Sequence, residues 1–195
     1  MKPLFLGAAL AVACVVAHAQ SAAVVCMGNV ATLQINYSTG SDANSPGLFW
    51  LGLVAPDGSG ADYLDTSGAW QPYQSGLIPP TGRYDTGLPP IVQATVALPG
   101  KPTNTYAMQG WIVGIGQGVL TQESQQQVDQ RRAALDSVKP QLVAKGTWNP
   151  MLDDDDQFRW ALAQGDMITN KKYVQALSIP AIDCMPSDTG NGGGT

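Results

Sequence analysis

The chain has 195 residues, with ten Lys and Arg against fifteen Asp and Glu, a formal net charge of −5, and a single histidine. That acidic balance argues against nucleic acid and anionic membrane surfaces as partners, because both require basic patches. Apolar residues make up 44% of the chain, enough for a real core.

Residues 1–19 read as a secretory signal. Lys2 supplies a short positive start, and residues 4–16 are an uninterrupted apolar or small run. Ala17-His18-Ala19 then places small residues where a signal peptidase reads them, so cleavage after Ala19 is expected. The run is too short for a membrane span, which takes about 20 residues. Ala11-Val12-Ala13-Cys14 offers a lipidation signal, but its leader would be very short and would carry Ala where Leu is usual. The remaining chain of about 176 residues starts at Gln20 and suits one domain. Lys2 leaves with the leader, so the net charge becomes −6, and His18 leaves too. Without histidine, no Ser-His-Asp or Cys-His nucleophile, His-ligated zinc or histidine pH switch can be built.

Residues 23–37 predict a first strand, with Ala31, Leu33, Ile35 and Tyr37 alternating against Thr32, Gln34 and Asn36. Residues 38–46 form a polar loop. Residues 47–55 are apolar on both faces and predict a central strand covered on both sides. Pro56-Asp57-Gly58 is a turn, followed by a strand at 61–64 and a second turn at Asp65-Thr66-Ser67-Gly68. A short strand at 69–73 contains Pro72, which places it at a sheet edge. Residues 76–90 predict irregular chain. Further strands are predicted at 91–98 and 105–116.

The character then changes. Residues 121–146 are rich in Gln, Arg, Ala and Leu, with Val128, Leu135, Val138 and Leu142 on one helical stripe. Pro140 predicts a kink or two helices, and Gly146 suits the C-terminal end. A second short helix is predicted at 157–164, with Phe158, Ala161 and Leu162 turned inward. Residues 172–184 predict a closing strand, and residues 186–195 a disordered tail. Short strands with Gly and Pro turns, interrupted once by helix, predict a mainly β fold. The expected form is an antiparallel, Ig-like β-sandwich over residues 20–185, with a helical insertion at about 121–164. Cys26 and Cys184 lie near its two ends. In an exported chain one disulfide is the simplest use of them, worth roughly 4–5 kcal/mol in the chain-entropy model.

Four groups of residues bear on function. Trp50, Trp70, Tyr63 and Tyr73 lie on neighbouring strands, where core packing is the simplest role. Trp70, Gln71 and Tyr73, with Tyr63 beside them, are the candidate partner- or glycan-binding edge. Asp153-Asp154-Asp155-Asp156 reads as a solvated acidic loop opening a helix, with a weak calcium site as the alternative, since D-x-D-x-D-G spacing is absent. Gly114-x-Gly116-x-Gly118 is one residue short of a dinucleotide fingerprint and reads as a bulge and strand exit. Paired carboxylates could serve a histidine-free glycosidase. However, Glu123, the one glutamate, opens the predicted helix, and Asp57 and Asp65 sit in turns. The Gln and Arg side of that helix (Gln125, Gln126, Gln130, Arg131, Arg132) either faces solvent or presents a partner surface.

Several motifs recur together: Leu48-Phe49-Trp50-Leu51-Gly52, Pro56-Asp57-Gly58, Thr66-Ser67-Gly68-Ala69-Trp70-Gln71-Pro72-Tyr73 and Ser75-Gly76-Leu77-Ile78-Pro79. Trp111-Ile112-Val113-Gly114-Ile115-Gly116 and the run from Asp166 to Tyr173 complete the set. Together they resemble a small β-sandwich module found in exported and surface proteins of proteobacteria. The resemblance implies an interaction or structural role and brings no catalytic residues with it. The stretch between Gly118 and Gln157 departs from it by its length. The expected protein is therefore periplasmic or secreted, non-enzymatic and without cofactor. Its expected partner is another envelope or surface protein, in an envelope, pilus-associated or adhesion assembly. A carbohydrate-binding module and a carboxylate enzyme are the alternatives.

Overall fold

The computed structural model describes residues 20–185; the predicted leader and tail lie outside them. Among the described residues there are nine strands and two α-helices. The strands are β1 (Ser21–Met27), β2 (Val30–Ser38), β3 (Gly47–Val54), β4 (Ala61–Leu64), β5 (Trp70–Pro72), β6 (Gly82–Tyr84), β7 (Ile91–Ala97), β8 (Ile112–Val119) and β9 (Tyr173–Ser178). Helices α1 (Gln122–Ala144) and α2 (Asp156–Thr169) connect β8 to β9. One sheet has the order β1-β2-β7; the other runs β5-β4-β3-β8-β9, with β6 also on β3, and every pairing between these strands is antiparallel.

Alternation decides what each sheet buries. Leu33, Ile35 and Tyr37 of β2 and Val92 of β7 join Phe49, Leu51 and Leu53 of β3 and Val113 and Ile115 of β8 in one buried cluster. The Tyr37 and Phe49 rings meet at 5.7 Å, tilted by 57°, an attractive aromatic geometry. The opposite face of β3 has its own cover: Leu48 and Trp50 are buried against Ala163 and Met167 of α2. This accounts for the double-sided apolar pattern of β3, which sits centrally as expected.

The glycines of β8 explain how α2 comes so close. Register places Gly118 beside Leu48, Gly116 beside Trp50 and Gly114 beside Gly52, all on the helix-covered face. A Cβ on Gly118 would overlap the Ala163 carbonyl, and one on Gly116 would overlap the Met167 sulfur. The spaced glycines are thus the seat of a helix, with the expected bulge present between Val113 and Gly114. Gly114 lies past the covered zone, with Gly52 O, at 3.9 Å, the nearest atom to a Cβ built there.

Several boundaries differ from the sequence reading. Residues 23–37 are two strands, because Gly28, at φ +60°, turns the chain in a two-residue hairpin that pairs Met27 with Val30. β8 starts later than predicted, after a 3-10 turn (Tyr106–Met108) and Gly110 at φ +83°. Helix α1 runs through Pro140 as one element. Asp136 and Pro140 are exposed, so solvent can take the carbonyl that Pro140 leaves without a donor. Of the α1 stripe, Val128 is buried, Leu135 and Leu142 are half-buried and Val138 is 43% exposed, so its first turns pack most closely. α2 extends to Thr169, and its inward residues are Ala163, Gln164, Asp166 and Met167; Ala161 is exposed. Cys26 and Cys184 are bonded, with Cα atoms 5.3 Å apart across a separation of 158 positions.

The glycine seat gives a paired test by chemical denaturation. Gly118→Ala is expected to cost about 3 kcal/mol, because backbone must move to admit the methyl. Gly114→Ala should stay within about 0.5 kcal/mol of the parent.

Candidate functional site

The sequence candidates do not assemble into one platform. Tyr63 and Gln71 lie directly opposite each other in the β4–β5 register, and Trp70 pairs with the buried Leu64 on the other face. Trp70 packs against the core, and its indole donates to the Ala97 carbonyl at 2.7 Å. Gln71 donates to Asp65 Oδ2 at 3.2 Å, and the Tyr73 hydroxyl donates to the Gly76 carbonyl at 2.8 Å. Asp65 is the organiser of this corner, because its Oδ1 also accepts from the Ser67 and Ala69 amides. The Ser67 hydroxyl, which donates to Oδ1 at 2.6 Å, is the first cause that holds its carboxyl below the usual range, with the Ala69 and Ser67 amides and Gln71 adding to it.

The acidic run is dispersed among separate partners. Asp153 accepts from Lys139 Nζ at 2.6 Å, Asp155 binds Arg131 and Arg132, and Asp156 binds Arg83. Asp154 instead accepts from the Asp156 amide at 2.8 Å. Among the described residues, no group of three or more His, Cys, Asp or Glu is placed to share a metal ion. Arg131 and Arg132 of α1 therefore face α2 and do not present an open partner surface. Arg131 also stacks over the Phe158 ring at 5.5 Å.

A cleft of about 760 Å³ opens where the start of β3, β6 and the first turns of α1 and α2 converge. Leu48, Pro80, Leu120 and Trp160 form its apolar wall; Arg83, Arg159, Gln122 and Gln125 supply polar groups. Its walls are tied by the backbone of one residue, Ile78. The indoles of Trp50 and Trp160 both donate to the Ile78 carbonyl, at 2.7 and 2.9 Å, while the Ile78 amide donates to Gln164 Oε1 at 2.7 Å. A Gly- and Pro-rich segment that reads as irregular is thereby strapped to both sheet and helix. Thr121 caps α1, its hydroxyl accepting from the Ser124 amide at 3.1 Å, so the positive end of α1 faces the cleft.

All four arginines of the chain gather at this corner. Arg83 makes two 2.8 Å bonds to Asp156 and one of 3.0 Å to Asp85. The Arg83 bonds, first among the causes, hold the Asp156 carboxyl below its usual range. Arg159 is half-buried and makes neither an ion pair nor a side-chain hydrogen bond among the described residues. Sequence reasoning missed Trp160 and Arg159. Their signal was an aromatic and a cation beside an acidic run. What makes them a site is the Trp160 bond to Ile78, 82 positions away, beside the Arg83–Asp156 pair that spans 73 positions.

The far end of α2 is fixed by a partly buried ion cluster. Lys172 Nζ lies 2.9 Å from Asp42 and 2.8 Å from Asp166. Asp166 also accepts from the Val119 amide at 2.8 Å, and Gln117 donates to Asp42 and to the Thr39 carbonyl, both at 2.8 Å. Burial alone would lower the Lys172 pKa, but the bonds to Asp166 and Asp42 outweigh it and hold it above its ordinary 10.5.

Comparison with known proteins returned nothing: no family model, curated protein or solved structure matches this chain. The chemistry of the cleft therefore carries the functional reading.

The ion cluster predicts a pH signature. The folded pKa of Lys172 is raised, so its stabilisation is full below pH 10.5 and is lost as pH climbs through the folded value. Lys172→Met should cost about 3 kcal/mol at pH 7, because two buried carboxylates lose their cation. In urea denaturation the gap between parent and variant should narrow above pH 10.5. A constant gap would remove Lys172 from the account.

Proposed function

We propose that this chain is an exported, non-enzymatic interaction protein of the envelope or cell surface. Its two sheets form an Ig-like sandwich, and its cleft receives a segment of a partner protein within an envelope, pilus-associated or adhesion assembly. The cleft is the observation that carries the reading. Its volume of about 760 Å³ lies within the range of ligand sites, and it joins an apolar wall to fixed polar groups.

The state of the cleft aspartates supports binding over catalysis, and the disulfide supports export over residence in a reducing compartment. The cleft aspartates are engaged: Asp85 and Asp156 with Arg83, and Asp155 with Arg131 and Arg132. Carboxylates bonded to guanidinium groups are poor general acids. The Cys26–Cys184 bond suits an oxidising compartment. No helix among the described residues is long and apolar enough to cross a membrane. The glycan reading draws less support, because Trp70, which a stacking platform would need exposed, packs against the core.

Photo-crosslinking in the native cells tests the proposal. A benzophenone residue at Gln122, exposed on the cleft rim, should yield a discrete adduct with an envelope protein. The same residue at Gln175 on β9 should not. Trp160→Ala should cut the adduct at least tenfold, as for an aromatic anchor worth about 2 kcal/mol, with near-ultraviolet circular dichroism confirming the fold. Equal adducts from both positions, or none, would count against the cleft.

A further inference from the structure

We infer that the cleft recognises a carboxylate next to an apolar side chain, presented as the C-terminal end of a partner segment, and that Arg159 receives it. The inference rests on the cleft being the binding site and names the chemistry of its ligand.

The charges around the cleft lead to this assignment. Four arginines and three aspartates (Asp85, Asp155, Asp156) lie in its wall or bond to it. Pairing them by contact uses every aspartate and every arginine except Arg159. Arg83 is bonded to two carboxylates, and Arg131 and Arg132 share Asp155. One positive charge is left over, and it lies in the cleft wall. A guanidinium has five donors in a planar fork that matches a carboxylate in a bidentate pair. The charge of Arg159 is felt by Asp156, but the side chain has no hydrogen-bonded acceptor among the described residues, so its donors are free for an anionic ligand.

The surroundings narrow the anion. Trp160 is the next residue along α2, and it forms the apolar wall with Leu48, Pro80 and Leu120. A phosphate or sulfate would leave that wall unused. A terminal carboxylate with an apolar last side chain fills both halves. The protein as a whole is acidic, so its field repels anions at long range and selectivity has to come from this local pair of features.

The test uses two pools of hexapeptides with apolar last residues, identical except that one ends in a free carboxylate and the other in an amide. The readout is the indole N–H resonance of Trp160 in the folded, disulfide-bonded protein. The acid pool should shift it in a saturable way, with the amide pool at least tenfold weaker. Arg159→Gln should remove that preference, so that the acid and amide pools respond alike. The acid-against-amide comparison needs no variant, so it stands even if Arg159→Gln folds poorly. Equal response to both pools, response to neither, or an acid preference that survives Arg159→Gln would overturn the inference. If the benzophenone at Gln122 still captures a partner, the binding reading stands and only the carboxylate assignment falls.

Discussion

The close approach of α2 to β8 is the constraint on which the rest of the structure depends. A helix can lie directly on a strand only where the strand presents no side chains, and Gly116 and Gly118 provide that surface. Once α2 is seated there, Ala163 and Met167 close over Leu48 and Trp50. Trp160 and Arg159, one turn earlier on the same helix, are carried to the mouth of the cleft. Gln164 faces the Ile78 amide, and Asp166 reaches the Val119 amide and Lys172. A shift of the helix by the width of one methyl group would disturb all of these partners together, so the seat and the cleft are one piece of architecture.

Polar groups then lock what packing has placed. Burying Asp42 and Asp166 and half-burying Lys172 carries a desolvation cost that hydrogen bonds must offset, and each has at least two partners. Such a cluster contributes modestly to net stability but is intolerant of any other arrangement. The aspartate run at the start of α2 plays a similar part at the other end. Its carboxylates are divided among cations from β6 and α1, so the acidic stretch works as a junction between elements.

Much of the scaffold was legible in the sequence. Period-two patterns located most strands, Pro72 marked an edge, and the apolar run of β3 announced a strand with cover on both sides. The two cysteines at the ends of the domain announced their bond. The hairpin at Gly28-Asn29 was missed because the apolar residues on either side read as one continuous run. The glycines of β8 were visible, but the helix they admit lies 45 to 51 positions away (Ala163 and Met167 against Gly118 and Gly116). The cleft was the least legible part. Arg83, Trp160 and the loop at Ile78 are unremarkable one at a time, and acquire meaning only from contacts spanning 73 to 86 positions. Periodicity reports which side of an element is buried; it says nothing about which distant group lies against it.

The Cys26–Cys184 bond has a mechanical consequence. It joins the first strand to the last described stretch of chain, so everything between the two cysteines forms a closed covalent loop. A tensile load applied at the two ends would travel from β1 across the sulfur atoms and out beyond Cys184. The sheets, the seated helix and the cleft would lie off that load path. A molecule pulled from both ends would bear the tension while the geometry of its cleft stayed undistorted.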